Sequence, residues 1–302
     1  MKAVVLNRFG GPEELRPAEV ERPEPGPGQV RLRVRAAGVN PFDAKVRSGA
    51  MEAVFTTPLP TILGLEAAGV VDAVGPDVTG WSVGDEVLGW TDTGAYAEYA
   101  LATAVARKPE GLSWERAVTL PVAAETAGRV FRLLGIEPGE TLLVHGAAGG
   151  VGSLAVQLAV AAGLRVIGTA GPANQEHVAA LGATPTTYGE GLVERVRALA
   201  PEGVDAVFDV AGRGALPASI ELRGGTDRIV TIADAPAAAE LGVVFSGGPP
   251  ERSPDRLAEL ADLAAQGDLV TPVGGTFPLA DAAEAHRVSA SGHARGKLVL
   301  IA

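Results

Sequence analysis

The sequence predicts an α/β protein in which a doubly wound parallel sheet accompanies a smaller β-rich domain. Three observations carry that prediction. Residues 141–144 are an apolar run that enters the glycine-rich turn Ala147-x-Gly149-x-x-Gly152, and the turn opens an apolar-periodic helix. A second strand-like run, residues 164–169, follows and completes a β–α–β unit. The first third of the chain consists instead of short alternating or β-branched runs parted by Gly and Pro.

Taken in order, residues 2–6, 29–37, 66–74, 86–90 and 95–101 read as strands. The turns between them are marked by Pro23-Glu24-Pro25-Gly26-Pro27-Gly28, Gly75-Pro76-Asp77 and Gly84-Asp85. The character changes at Leu112. Ser113 is placed to cap a helix, residues 121–134 extend the helical pattern, and Pro138-Gly139 resets the chain. Strand 141–144, helix 151–162, strand 164–169, helices 176–181 and 191–199, and strands 206–210 and 228–232 then follow. Right-handed crossovers make such a series parallel, and residues 241–245 supply a last strand. Beyond Pro249-Pro250 come a helix, 254–266, and two strands, 269–272 and 297–301, whose natural partners lie in the N-terminal β domain. The expected division is therefore 1–119 for the β-rich domain, 120–247 for the nucleotide domain, and 248–302 for a return to the first.

A glycine-rich strand-to-helix turn lets the backbone approach a pyrophosphate, while the helix N-terminus offers free N–H groups and partial positive charge. In this strand–turn–helix–strand context it predicts dinucleotide binding. NAD sites carry Asp or Glu about 20 residues past the fingerprint to accept from the ribose hydroxyl. Here Ile167-Gly168-Thr169-Ala170-Gly171-Pro172-Ala173-Asn174 holds no acid before Glu176. No carboxylate therefore repels a 2′-phosphate, which favours NADP, although no Lys or Arg stands there either. Thr169, Asn174 and Tyr188 are the candidate hydrogen-bond donors, with an ordinary half-buried aromatic as the alternative for Tyr188.

Composition removes several classes. A chain of 302 residues with 47% hydrophobic residues has ample core, and with aromatics at 4% that core must be Ala, Val and Leu. A net charge of −11 argues against a nucleic-acid partner, which needs clustered Lys and Arg. There are no cysteines, hence no disulfide, thiolate metal site or Cys nucleophile. Every apolar run is broken by Gly, Pro or charge before it reaches membrane-spanning length, and the N-terminus reads as a strand rather than a signal peptide. A cytoplasmic protein is expected, with no membrane partner.

Several dispersed motifs resemble one family in the right order. They are Ala36-Ala37-Gly38-Val39-Asn40-Pro41-Phe42-Asp43, Gly64-Leu65-Glu66-Ala67-Ala68-Gly69-Val70-Val71, Val83-Gly84-Asp85-Glu86-Val87 and Gly94-Ala95-Tyr96-Ala97-Glu98-Tyr99, with the fingerprint and Gly296-Lys297-Leu298-Val299-Leu300. Over essentially its whole length the chain resembles the zinc-independent quinone oxidoreductase (zeta-crystallin-like) branch of the medium-chain dehydrogenase/reductases. The resemblance implies a GroES-like substrate domain, a Rossmann domain, NADPH in the cleft between them, and a homodimer.

Zinc alcohol dehydrogenases of that superfamily hold the metal with Cys, His and Cys or a carboxylate. Here the first Cys position is Asn40 and the His of Gly-His-Glu is Leu65, which cannot ligate. The four-cysteine lobe is missing, and His145, His177, His286 and His293 show no ligand spacing. No metal is expected. Without a Lewis acid the accessible reaction is hydride delivery to an acceptor with its own electron sink, a quinone or an α,β-unsaturated carbonyl.

The resemblance places Asn40 beside the nicotinamide, with a turn-forming Asn before Pro41 as the alternative. It gives Asp43 a structural hydrogen-bonding role. The pattern Asn-Pro-x-Asp-x-Lys is that of enone-reductase-like relatives, so Lys45 is a candidate to stabilise an enolate oxygen or bind cofactor, against a solvated surface lysine. Thr126 matches the Thr that supports the nicotinamide side, against a helix Thr bonded to its own backbone. Ala148, Gly149, Gly150 and Val151 present backbone to the pyrophosphate. Arg295 is placed to neutralise a cofactor phosphate, unless it forms a surface ion pair. Trp90 and Tyr96 wall the cleft or fill the core. Residues 47–60 form a loop over it, and Met51, Val54 and Phe55 point to a hydrophobic substrate. Two other functions remain open: an enoyl reductase on a larger acyl substrate, and a non-catalytic NADPH-binding sensor or structural protein.

Overall fold

Short strands parted by tight turns build the N-terminal region: β1 (Lys2–Leu6), β2 (Leu15–Glu19), β3 (Val30–Val39), β4 (Thr61–Ile62), β5 (Glu66–Val74), β6 (Glu86–Trp90), β7 (Tyr99–Ala102) and β8 (Ala104–Arg107). One helix, α1 (Pro41–Arg47), interrupts them, and α2 (Trp114–Ala117) follows. The structure, a computed structural model, describes residues 1–247, 251–292 and 294–302. Pro249-Pro250 and His293 of the sequence reading therefore lie outside the described residues.

The second region runs α3 (Pro121–Leu134), β9 (Thr141–His145), α4 (Gly150–Ala161), β10 (Arg165–Thr169), α5 (Gln175–Ala180), β11 (Thr184–Thr186), α6 (Leu192–Leu199), β12 (Ala206–Asp209), α7 (Leu216–Arg223), β13 (Ile229–Thr231), α8 (Ala235–Leu241) and β14 (Val244–Phe245). The chain closes with α9 (Pro254–Gln266), β15 (Val273–Pro278), α10 (Ala282–Ser291) and β16 (Lys297–Ile301). By contacts it divides into Met1–Val122 with Arg252–Ala302, and Ala123–Glu251.

In the first unit, β2-β1-β4 form one sheet and β15-β16-β3-β5-β6-β8 a second, to which β7 adds on β3. The C-terminal strand β16 lies antiparallel on β3, with Leu298 opposite Val39 and Leu300 opposite Ala37. Val4, Leu6, Leu32, Val34, Tyr96, Leu298 and Leu300 share its core. The second unit holds a wholly parallel sheet in the order β11-β10-β9-β12-β13-β14. Counted from β9 as first, that is 3-2-1-4-5-6, the Rossmann order. Alternate residues of β9 explain the two helical layers: Leu142 and Val144 pack into one core with Ala155 and Val156, and Leu143 into another with Leu216 and Ile229.

Some local expectations needed correction. Residues 269–272 are no strand. Pro272 has no N–H for a ladder, its carbonyl accepts the Lys297 N–H at 3.0 Å, and pairing starts at Val273. Leu241 ends α8, with Gly242 at φ 73° closing it, so β14 is only Val244–Phe245. Asn40-Pro41 starts a helix rather than a turn, because Pro41 takes the first helical position and the Asp43 carboxylate accepts the Asn40 N–H at 2.8 Å. Ser113 caps α2 as expected, its side chain accepting from Arg116 N–H at 3.3 Å.

Candidate active site: a glycine cradle and a buried polar network

The strand β9 ends at His145 and gives way to Gly146, whose φ of 77° suits glycine. Gly149 is extended at the N-cap of α4, and the first bond up the helix runs from Ser153 N–H to the Gly149 carbonyl at 2.8 Å. The N–H groups of Gly150, Val151 and Gly152 thus have no acceptor within the helix and sit at its positive end. The glycines divide by role. A Cβ on Gly152 would lie 2.1 Å from the Gly146 carbonyl oxygen, so packing alone demands glycine there. A Cβ on Gly149 would meet only that oxygen, at an ordinary 3.5 Å. Packing leaves Gly149 unexplained, and close approach of a ligand to the backbone explains it. These residues fit a dinucleotide pyrophosphate.

At the C-terminal end of β10 the Gln175 amide donates to the carbonyls of Ala170, Gly171 and Thr186, at 2.8, 3.2 and 3.2 Å, and so ties the ends of β10 and β11 together. Tyr188 stands over this end: a Cβ on Gly171 would lie 3.6 Å from its hydroxyl, and the side chain is exposed. Asn174 is half-buried in the turn after Gly171. Thr169 is corrected. Its residue is 1% exposed, and its hydroxyl faces inward to His145 Nδ1 at 3.2 Å and the Gly146 N–H at 3.4 Å, leaving nothing for a ribose. Thr126 is buried within α3, its hydroxyl 3.5 Å from the Glu125 carboxylate.

The first unit carries a buried polar network. Glu66, at the start of β5, accepts on Oε1 from Lys297 Nζ at 2.6 Å and Asn40 Nδ2 at 2.9 Å, and on Oε2 from the Val122 N–H at 2.8 Å. Lys297 also donates to Asn40 Oδ1 at 2.6 Å. Asp43 Oδ2 accepts from the Tyr96 hydroxyl at 2.9 Å, Tyr96 Oη lies 3.1 Å from His286 Nε2, and His286 Nδ1 lies 3.1 Å from Arg47 Nη1. All seven side chains are buried. Burial raises the Asp43 carboxyl to about 7, against the opposing hydrogen bonds from Asn40 and Tyr96. Burial, and then the Arg47 charge, lower His286 to about 4. Tyr96 is raised by burial and by Asp43.

Beside this network is a cavity of about 690 Å³, walled by apolar residues such as Phe42, Val46, Phe55 and Leu65 and by the polar Asp43, Thr57, Asp92 and Arg252. Phe42 and Phe55 stack at 6.1 Å. Arg252 donates to Asp92 at 2.9 Å, yet its Nε is buried without a partner, as is Thr57 Oγ1. Two buried polar atoms thus lack partners on the wall of one cavity. Phe55, of residues 47–60, lies on that wall, while Val54 is exposed.

Asn40 is corrected as a group that meets substrate, since both ends of its amide are held inside the network. Trp90 and Tyr96 are core residues. Lys45 is half-buried on α1 and is absent from the cavity wall; Arg295 is exposed. His145 packs at the end of β9, its Nε2 3.0 Å from Ser219 Oγ, and burial lowers it to about 4. Arg47, Tyr96, His286 and Lys297 escaped the sequence reading as polar partners, because no spacing links residues so far apart in the chain. Among the described residues no group of three or more His, Cys, Asp or Glu is arranged to hold a metal, and no helix is long and apolar enough to cross a membrane.

Residues 26–110 match the family described as alcohol dehydrogenase GroES-like domain, and residues 181–300 the one described as zinc-binding dehydrogenase. The chain is 30% identical to human quinone oxidoreductase, over 100% of its own length and 98% of that protein. It is 37% identical to the pikromycin polyketide synthase component PikAII of Streptomyces venezuelae over 94% of its length, though it spans only 8% of that protein. Among solved structures, a mycobacterial protein complexed with NADPH superposes with a TM-score of 0.87 at 31% identity, covering 100% of both chains.

Proposed function

The chain belongs to the zinc-independent quinone oxidoreductase branch of the medium-chain dehydrogenase/reductases and is an NAD(P)H oxidoreductase, and we propose that it uses NADPH to reduce a quinone or the activated C=C bond of an α,β-unsaturated carbonyl, without a metal. The cavity wall carries the proposed acceptor class. Leu65 stands there where the zinc enzymes have a ligand histidine, and Lys297 already bridges Asn40 and Glu66. Leu65 cannot ligate, and the Lys297 ammonium already neutralises the Glu66 carboxylate and takes the Asn40 oxygen, so a cation to polarise an alcohol oxygen would find no ligand set there and the electron sink belongs to the substrate.

When bound, the reduced nicotinamide supplies the hydride. Ala148, Gly150 and Val151 would hold the pyrophosphate through backbone N–H groups at the α4 N-terminus, while Gly149, whose own N–H goes to the Gly146 carbonyl at 3.1 Å, would let the phosphates approach the backbone. Tyr188 and Asn174 would receive the adenosine end, where the missing carboxylate would admit a 2′-phosphate. Phe42, Phe55 and Leu65 supply an apolar wall that excludes water from the acceptor. Asn40 holds Lys297 and Glu66 in place and acts on the site through them. The exposed edge strand β14, with Val244 and Phe245, suits pairing with a second copy in a homodimer.

A second reading has its own support. The similarity to a polyketide synthase component and the two unpartnered donors on the cavity wall, Thr57 and Arg252, favour a 2-enoyl thioester, whose tail carries carbonyl oxygens. The test follows NADPH and NADH oxidation with 1,4-benzoquinone, 9,10-phenanthrenequinone, an alkenal, an enone and a 2-enoyl thioester, each with and without chelator. Chelator-insensitive NADPH oxidation by enal or enone is expected. Preference for the thioester selects the second reading, and loss of turnover with chelator overturns the metal-free one.

A further inference from the structure

Four of the seven network residues form a chain with a direction. The Arg47 guanidinium can only donate, so His286 Nδ1, at 3.1 Å, accepts. The neutral imidazole then carries its proton on Nε2 and donates it to Tyr96 Oη, also at 3.1 Å. The Tyr96 hydroxyl hydrogen is left to point at Asp43 Oδ2, at 2.9 Å. Arg47 is 7% exposed, His286 and Tyr96 0% and Asp43 2%. Of the titratable groups on the cavity wall, Asp92 and Arg252 hold each other at 2.9 Å. Asp43 is the third, and no ion pair among the described residues occupies it.

Resting on the reductase reading above, we propose that Asp43 is the acid that gives up the proton of the reaction, oriented by the Arg47–His286–Tyr96 chain behind it. Reduction of an enone needs a hydride and a proton. The hydride adds to the β-carbon, and the C=C electron pair moves toward the carbonyl as an enolate. The Asp43 O–H bond then breaks, its proton goes to the enolate α-carbon, and the carboxylate regains a proton from water that enters the cavity once product has left. A carboxyl raised to about 7 is neutral over the acid half of the working range and is matched to this task. Its charged surroundings are Glu66 of β5, which opposes ionisation, and Lys297 of β16, which favours it. Arg47 of α1 and His286 of α10 reach it through Tyr96, and Lys45 lies two residues on along α1.

The test compares wild type with Asp43→Asn and Tyr96→Phe in NADPH-dependent enone reduction from about pH 5 to 9, after thermal melts of each. Wild-type kcat should fall as pH rises through about 7. Asp43→Asn should lower kcat by about 10²-fold, abolish that break, and leave the KM for enone and the Kd for NADPH nearly unchanged. Tyr96→Phe removes a donor to the carboxylate, so the break should move to higher pH. A readout without cofactor runs beside these: infrared spectra of the free protein should show a protonated carboxyl band that titrates near 7 and is missing in Asp43→Asn. Wild-type rate or a persisting break in Asp43→Asn overturns the proposal, as does an infrared titration with no such band. If Asp43→Asn fails to fold, Tyr96→Phe and the wild-type infrared titration decide. A wild type that turns over no acceptor sinks the reductase reading and the proposal with it, whereas enone turnover unaffected by Asp43→Asn sinks the proposal alone.

Discussion

The two units solve the problem of holding a reactive group by opposite means. In Ala123–Glu251 the proposed working surface is backbone: the N–H groups that follow Gly149 and have no acceptor within the helix. In the other unit it is side chain, seven buried polar residues drawn from strands, helices and loops far apart in sequence. A backbone site costs little to desolvate, since its donors are already fixed by the helix. A buried ionic network is stable only while every member keeps its partner. The cradle should therefore tolerate loss of neighbours and lose binding when a Cβ intrudes, whereas the network should lose stability when any one member is cut.

The largest break in that comparison is Glu66→Gln. It leaves the Lys297 ammonium buried, 4% exposed, without its carboxylate. A cost of about 3–5 kcal/mol is expected in urea unfolding. Adding Lys297→Met should recover part of it, because the second change removes the stranded charge. Full additivity of the two losses would show that the pair is not coupled.

Next comes pH, which acts on both units. His145 and His286 are each lowered to about 4 by burial. Their folded values lie below the unfolded value near 6.5, so their stabilisation is present above pH 6.5 and is lost as pH falls toward 4. Asp43 runs the other way: raised to about 7, it favours the folded state below its unfolded value and loses that share as pH rises through 7. Two histidines outweigh one aspartate between pH 4 and 6.5, so unfolding free energy should fall on acidification by on the order of 2 kcal/mol. The comparison sharpens if Asp43→Asn steepens this fall and His145→Gln flattens it, each measured by urea midpoints across pH.

Glycine substitutions separate packing from binding within the cradle. Gly152→Ala forces a Cβ to 2.1 Å from the Gly146 carbonyl and should cost about 1–3 kcal/mol. Gly149→Ala meets only an ordinary 3.5 Å contact at φ −77°, so the melting temperature should hold. Dinucleotide affinity, read by fluorescence titration, should still fall about tenfold, about 1.4 kcal/mol. Equal affinity in Gly149→Ala would mean that the ligand does not approach this backbone.

The same contrast explains what the sequence made legible. The β–α–β unit around Gly146–Gly152 is a local pattern, and the parallel sense of the sheet followed from crossover handedness, whereas its strand order came only with the structure. The network is not local. Lys297 meets Asn40 across 257 positions, and His286 meets Arg47 across 239. Read singly, Lys297 was part of a terminal strand and His286 one of four unplaced histidines. The helix α1 was hidden because Asn40-Pro41 signals a turn and a helix start equally well. Strand 269–272 was misplaced because its apolar run ends at a proline whose missing N–H only tertiary pairing reveals.

Tyr188 gives the smallest and most discriminating test. A cradle of backbone N–H groups cannot tell NADPH from NADH, so under the proposed function the choice falls to side chains beyond β10. The Tyr188 hydroxyl sits over Gly171, on a platform that Gln175 fixes by three bonds to Ala170, Gly171 and Thr186. Thr169 is turned inward and cannot contribute. Tyr188→Phe removes one donor to a charged phosphate without touching the core, since the side chain is exposed. The Kd for NADPH should rise about 10-fold, roughly the worth of one charge-assisted hydrogen bond, while that for NADH stays level. An equal change for both would place the 2′-phosphate elsewhere and leave Asn174 as the side chain to vary next.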